Sequence, residues 1–391
     1  MKSLDQKLAA IHADPQGCRE FIIADAKDAD MAFGIGAPGK SPERHDAEVR
    51  QRTLAEYREQ IRQVVRQQVV DIVLMSASTS EQLVLRERLF DNSPVTPAVR
   101  ANDTTDIFAF RGSVIPQSAS RPFRTATIDH AQCGHLDCTP EERAGGVDLG
   151  LYSLTFNNDC ELDLETITAY KEFREEAERK GFRHFMEVFN PNLPGAVPPD
   201  VLPHFINDVI ARTLAGVPSS GRPVFLKIPY PGPAALEELV QYDPHLIVGI
   251  LGGSSGTTRD AFQLIHDAQR HGARIALFGR KINHAENQLA FIEFLRLVAD
   301  GHITPEEAVR AYHAVLETLQ VRPWRSLDED LQITETSMSY SGSSSTPPTR
   351  ISASRSASSQ AASTPAPKLS EMSPAERLAY HRERLRRELG D

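Results

Sequence analysis

Short apolar runs alternate with amphipathic stretches through most of residues 20–320. EFIIAD (20–25), VVDIVLMSAS (69–78), VTPAVRAND (95–103), DLGLYSLTF (148–156) and FRHFMEVFN (182–190) each have the length and β-branched or aromatic content of a strand. Three more follow between Pro223 and Gly279: PVFLKI, HLIVGILGG and ARIALFGR, each ending in a polar or glycine-rich turn. Between them, helix-like periodicity covers 46–67, 80–89 (with Ser80 as a cap), 163–181 (ending at Gly181) and 198–216 (proline near the start). Strand and helix in alternation predict a parallel α/β sheet. Eight strands over roughly 300 residues, with no GxGxxG fingerprint, predict a closed (β/α)8 TIM barrel rather than an open sheet.

The pattern is interrupted in three places. Residues 1–19 read as a short amphipathic helix, with Leu4, Leu8 and Ile11 on one side, that caps the bottom of the barrel. Thr104–Gly146 is too long for a minimal connection and predicts an enlarged third βα region. After Trp324 the chain becomes rich in Ser, Thr, Ala and Pro, which bury too little apolar surface to offset the entropy of ordering. This divides the chain into a barrel domain (1–325), a disordered linker (326–370) and a short basic C-terminal helix (371–391). That helix is either a solvated tail or a docking peptide for a protein partner.

Composition narrows the classes. Across 391 residues there are 53 Asp+Glu against 43 Lys+Arg. The resulting pI near 5.8 argues against a nucleic-acid partner, which needs a basic field. No apolar run approaches the roughly 20 residues of a membrane span, and the N-terminus has no signal-type apolar core. Cys18, Cys133, Cys138 and Cys160 are no disulfide framework in so long a chain, so a reducing cytoplasm is expected. His130, Cys133, His135 and Cys138 are zinc-ligand types. Their spacing matches no zinc motif we can name, and all four fall on one loop, so no metal and no cofactor are expected.

Lys227 stands inside VFLKI, where a buried strand favours Val or Leu. A buried lysine either pairs with an acid for structure or loses its proton and becomes a nucleophile toward carbonyls. Gly252-Gly253-Ser254-Ser255-Gly256 precedes a helix, so its backbone N–H groups, the helix's positive end and the hydroxyls of Ser254, Ser255 and Thr257 could hold a phosphate. Gly279 and Arg280 would clamp the same anion from the last strand. Glu187 interrupts strand 5 and should point inward if Met186 and Val188 point outward. Asp25 closes the first strand. Asn102, Asp103 and Arg124 sit near other strand ends and could hydrogen-bond sugar hydroxyls or a second phosphate, but turn chemistry explains Asn102-Asp103 equally well.

K-I-P-Y-P-G (227–232), the Gly-Ser turn at 252–256 and F-G-R-K-I (278–282) together resemble the C-terminal part of the class I, Schiff-base aldolases. The likeness is to the archaeal-type fructose-bisphosphate aldolases and their relatives acting on tagatose bisphosphate and sulfosugar phosphates. It is strongest over 180–320. The resemblance implies an imine at Lys227, phosphate held by Gly252–Ser255, Gly279 and Arg280, and a homo-oligomer. It also implies that Glu187 is the acid–base partner of the lysine, as in the tagatose type, and that Asp25 positions substrate. The fructose-bisphosphate type carries an aromatic-x-tyrosine near Glu187, whereas this chain has Phe189, which cannot donate a proton. The expected function is a Schiff-base aldolase acting on a phosphorylated ketose or related sugar phosphate. The alternative is a barrel that has lost catalysis and serves as a phosphosugar-binding or scaffold protein.

Overall fold

The computed structural model describes residues 1–40, 50–252 and 256–334. Eight parallel strands close into one barrel. They are β1 (Ile22–Lys27), β2 (Ile72–Met75), β3 (Thr96–Arg100), β4 (Leu149–Thr155), β5 (Arg183–Phe189), β6 (Leu226–Ile228), β7 (Val248–Leu251) and β8 (Ile275–Phe278). Neighbours in sequence are neighbours in the barrel, and β8 pairs β1 to close it. Every apolar run read as a strand from the sequence is one.

The two-residue period of the strands sorts the side chains into two layers. Ile22, Leu74, Leu151, Phe185, Phe225 and Leu277 point inward and fill the lower barrel. Phe185 and Phe225 stack with ring centroids 4.5 Å apart. Ile23, Val73, Val99, Tyr152, Met186 and Val248 point outward against the helices. Burial of such side chains contributes about 1.5–3 kcal/mol each, so this two-sided apolar wall is the main source of stability.

The helix Ser3–Ala13 closes the lower end as expected, with Leu4, Leu8 and Ile11 packed on the inner layer. Asp71, before β2, ties it down: its carboxylate accepts from the Ile23 amide and pairs with Lys7 and Arg296. The helix after β2 starts at Ala77, after Ser76, and continues as a π turn over Glu81–Arg86; Ser80 lies inside it and is not its cap. The enlarged third region holds a two-stranded antiparallel ribbon (Asp103–Thr104 with Pro122–Phe123) and the helices Ile128–Cys133 and Pro140–Arg143.

Residues 326–334, assigned to the linker from composition, are part of the compact unit. Helix Leu327–Asp330 is capped by Ser326 and Glu329. Asp330 accepts from the Thr258 amide at 2.7 Å and meets His313 at 2.9 Å. Thr334 donates to both oxygens of Asp260. These contacts strap the segment onto the helix Thr258–Arg270, and they depend on tertiary partners that composition does not reveal. The expected basic helix at 371–391 lies outside the described residues. Among the described residues, no helix is long and apolar enough to cross a membrane.

Candidate functional site

At the carboxyl ends of the strands the inward layer turns from apolar to charged. Alternation carries Phe185 to Glu187 on β5 and Phe225 to Lys227 on β6, and the two polar residues lie opposite each other in register. Lys227 Nζ stands 2.6 Å from Glu187 Oε1. The other Glu187 oxygen accepts from Ser153 Oγ of β4 at 2.6 Å. Ser153 Oγ in turn accepts from Arg100 of β3 at 3.1 Å, and Arg100 Nε donates to Asp28 at 2.5 Å. One connected line of polar groups, Asp28–Arg100–Ser153–Glu187–Lys227, thus crosses the barrel mouth above the Phe185–Phe225 stack. Burial opposes charge on Arg100, but Asp28, Asp103 and Glu187 outweigh it and raise its pKa, so the guanidinium stays charged.

Asp28, Arg100, Glu187 and Lys227 of this line border a cleft shared with Phe33, Phe189, Gly252, Gly279 and Arg280. The structure therefore brings Lys227 and Glu187 into contact and places Gly252, Gly279 and Arg280 around the same opening. Gly252 is required there by packing: a Cβ would lie 2.0 Å from the Phe278 ring. Arg280 lies over the Phe33 ring, 5.4 Å from its centroid. Beside it Lys281, half-buried, donates to the Gly256 carbonyl at 2.9 Å, and burial pushes its ammonium down to about 8. Gly253, Ser254 and Ser255 lie outside the described residues.

Two expectations about this end are corrected. The start of the helix Thr258–Arg270 is already occupied by carboxylates: the Thr257 amide donates to Asp260 and the Thr258 amide to Asp330. Thr257 Oγ1 accepts from the Asp260 amide and donates to the Gln332 carbonyl. Neither that positive end nor the Thr257 hydroxyl is open to an anion. Of this end, Gly252, Gly279 and Arg280 line the cleft.

Asp25 stands away from this cleft. On β1, Ile22, Ala24 and Ala26 face inward, so Asp25 and Lys27 face the helix layer. Asp25 is fully buried 3.2 Å from Lys27, whose Nζ donates to Asn283 at 2.5 Å and Gln288 at 2.8 Å. Burial, opposed by Lys27, pushes the Asp25 carboxyl up to about 6. It does not line the cleft; Asp28, three residues on, does. Asn102 is spent on the Ser153 backbone, and Arg124 lies outside the barrel against Glu176 and Phe173. Asp103 is 3.8 Å from Arg100, and burial pushes it up to about 6. Asp28, Arg100 and Ser153 were not singled out by sequence. The inward phase of Arg100 on β3 and of Ser153 on β4 was readable, but only the folded barrel shows that Arg100 meets both Ser153 and Asp28.

The cysteines also depart from expectation. Cys133 and Cys138 form a disulfide, five residues apart; Cys18 and Cys160 are free. His130 turns to Thr127, 2.8 Å away, rather than to the cysteines.

No protein-family model matches the chain, and no curated protein matches it. Solved structures do. A fructose-bisphosphate aldolase from Slackia heliotrinireducens superposes with a TM-score of 0.56 at 13% identity, covering 81% of this chain and 92% of the other. An archaeal fructose 1,6-bisphosphate aldolase gives 0.54 at 13%, covering 75% and 99%. Another archaeal fructose-1,6-bisphosphate aldolase, solved with its catalytic Lys covalently bound to the carbinolamine intermediate of the substrate, gives 0.53 at 15%, covering 75% and 100%. At such identities the likeness is one of fold: this chain is a TIM barrel of the shape found in the archaeal-type Schiff-base aldolases.

Proposed function

We propose that this protein is a Schiff-base-forming aldolase acting on a phosphorylated ketose or a related sugar phosphate. The observation that carries the reading is the 2.6 Å contact between Lys227 and Glu187 at the cleft, on a barrel of aldolase shape. Glu187 takes a proton from the Lys227 ammonium and leaves a neutral amine to attack the substrate carbonyl. The carbinolamine gains a proton on its oxygen and loses water, leaving a cationic imine as an electron sink. A base then removes the proton of the β-hydroxyl. The carbon–carbon bond beside it breaks, its electron pair enters the imine as an enamine, and an aldehyde leaves. Protonation and hydrolysis return Lys227. The proton transfers are assigned to Glu187, a reading supported by its hydrogen bond from Ser153 and its contact with the amine.

Arg280, Gly252 and Gly279 are the proposed phosphate end of the cleft, in keeping with the use of strands 7 and 8 in such barrels. Phe189 in the same wall supplies no proton, so the acid–base work falls on Glu187. The test is borohydride trapping. The protein is incubated with dihydroxyacetone phosphate and a set of ketose phosphates, reduced, digested and weighed. A substrate mass on the Lys227 peptide, lost in Lys227→Ala, is the expected result. Phosphosugar binding without any adduct would support the non-catalytic barrel instead.

A further inference from the structure

The loop between the helices Ile128–Cys133 and Pro140–Arg143 gathers four metal-ligand side chains away from the cleft. We propose that, once its disulfide is reduced, this loop binds one zinc-like divalent ion through Cys133, His135, Cys138 and Glu142. Ligand atoms of Cys133, His135 and Glu142 lie within 4.8 Å of one another, and Cys138 is bonded to Cys133. The sequence argued against a metal because the spacing of His130, Cys133, His135 and Cys138 matches no zinc motif and all four fall on one loop. Folding replaces His130 with Glu142 from the next helix, so the ion would join two elements rather than sit on one loop.

The orientation of His135 favours a cation. Its Nδ1 is 2.8 Å from the Leu136 carbonyl, so Nδ1 carries the proton. In the neutral ring Nε2 then presents a lone pair, and it faces Glu142 Oε1 at 3.2 Å. Two lone-pair atoms at that distance need a positive centre between them, either a proton or a metal ion. A ring whose second nitrogen is fixed by a backbone carbonyl is the usual setting of a metal-bound histidine. Glu142 is oriented likewise: its other oxygen accepts from the Thr139 amide at 2.8 Å. The surrounding frame stands without the ion. Asp129 accepts from the Asp137 amide and pairs with Arg143 and Lys180, and Arg143 also holds the Cys138 carbonyl. Two thiolates, an imidazole and a carboxylate in four-coordinate array suit zinc.

The loop thus has two closures, one covalent and one metallic. A dithiol reductant supplies two electrons and two protons: the Cys133–Cys138 bond breaks, two thiols form, and the dithiol becomes its own disulfide. Metal binding then releases the two thiol protons.

The experiment uses the full chain carrying Cys18→Ser and Cys160→Ser, so that only the loop thiols report. Half is reduced with a dithiol and desalted without oxygen; half is left oxidised. Both are titrated with Co2+ and then Zn2+. The reduced sample is expected to give the visible bands of four-coordinate cobalt and a thiolate charge-transfer band at one equivalent, both abolished by zinc. The oxidised sample, equally folded by circular dichroism, should give neither. His135→Ala and Glu142→Gln should each weaken binding by more than the roughly 10–100-fold that losing an outer partner costs, while His130→Ala leaves it unchanged. Absence of the bands in the reduced protein, or bands indifferent to His135→Ala and Glu142→Gln, would overturn the proposal.

Discussion

Among the described residues two lysine–carboxylate pairs are buried, and they face opposite ways. Lys27 and Asp25 stand on the outer face of β1, sealed under the helices, with Asn283 and Gln288 taking up the ammonium. Lys227 and Glu187 stand on the inner face of β6 and β5, beside the cleft, with Ser153 and Arg100 behind them. Each sets a lysine against a carboxylate, and both pairs are desolvated. Only one has room for a third molecule. A buried ion pair is therefore no sign of chemistry in itself; what matters is whether one side of it opens on a space.

That contrast can be broken by mutation. The largest effect is expected at Lys227→Ala, which removes the proposed nucleophile: the trapped adduct disappears and aldol cleavage falls by roughly 10⁵-fold or more. Lys27→Met, in contrast, should leave the adduct on whatever protein folds. Glu187→Gln keeps the shape and removes the proton carrier, so turnover should fall by about 10²–10⁴-fold in steady-state assays. Asp25→Asn should leave turnover of the folded protein unchanged; a loss matching that of Glu187→Gln would return Asp25 to the active site.

Stability should show the reverse order. Lys27→Met strands Asp25 as an unpaired buried acid and is expected to cost about 3–5 kcal/mol in denaturant unfolding. Lys27→Met combined with Asp25→Leu should recover much of that loss. At the phosphate end, Arg280→Ala should raise KM for phosphorylated substrates by roughly 10–100-fold, matching the loss of a charged hydrogen bond, and leave an unphosphorylated analogue unaffected.

A last test addresses the two faces of β5. His184, on the outer face, is buried against Tyr170 and Phe173, and burial aided by the Arg174 charge pushes it down to about 3. The folded protein keeps this ring neutral, while the unfolded chain takes a proton below about pH 6.5. Stability is therefore lost as pH falls from 6.5 toward 3, by about 1.4 kcal/mol per unit from this group. His184→Gln should flatten that part of the stability profile without touching the pH dependence of turnover, which belongs to the inner face.

How legible these features were depended on local contrast in the sequence. The eight strands stood out because each apolar run is bounded by turns. The inward phase of Glu187 was readable because Met186 and Val188 flank it with apolar neighbours. FIIAD offers no such contrast: every residue before Asp25 is apolar, so its phase was open, and a one-residue offset carries a strand's side chain to the other face. Arg100 looked like the end of a strand until Asp28 and Ser153 closed around it. The strap at 326–334 was hidden by composition, because its hold comes from Thr258, Asp260 and His313, distant in sequence.

That strap also fixes the line along which force enters the barrel. A pull on Thr334 is borne first by Asp260 and next by the contact of Asp330 with the Thr258 amide, both made at the head of the helix that follows β7. The tether is therefore anchored to the support of one rim of the opening, and a cut made before Ser326 would remove a counter-ion from that helix as well as a tail.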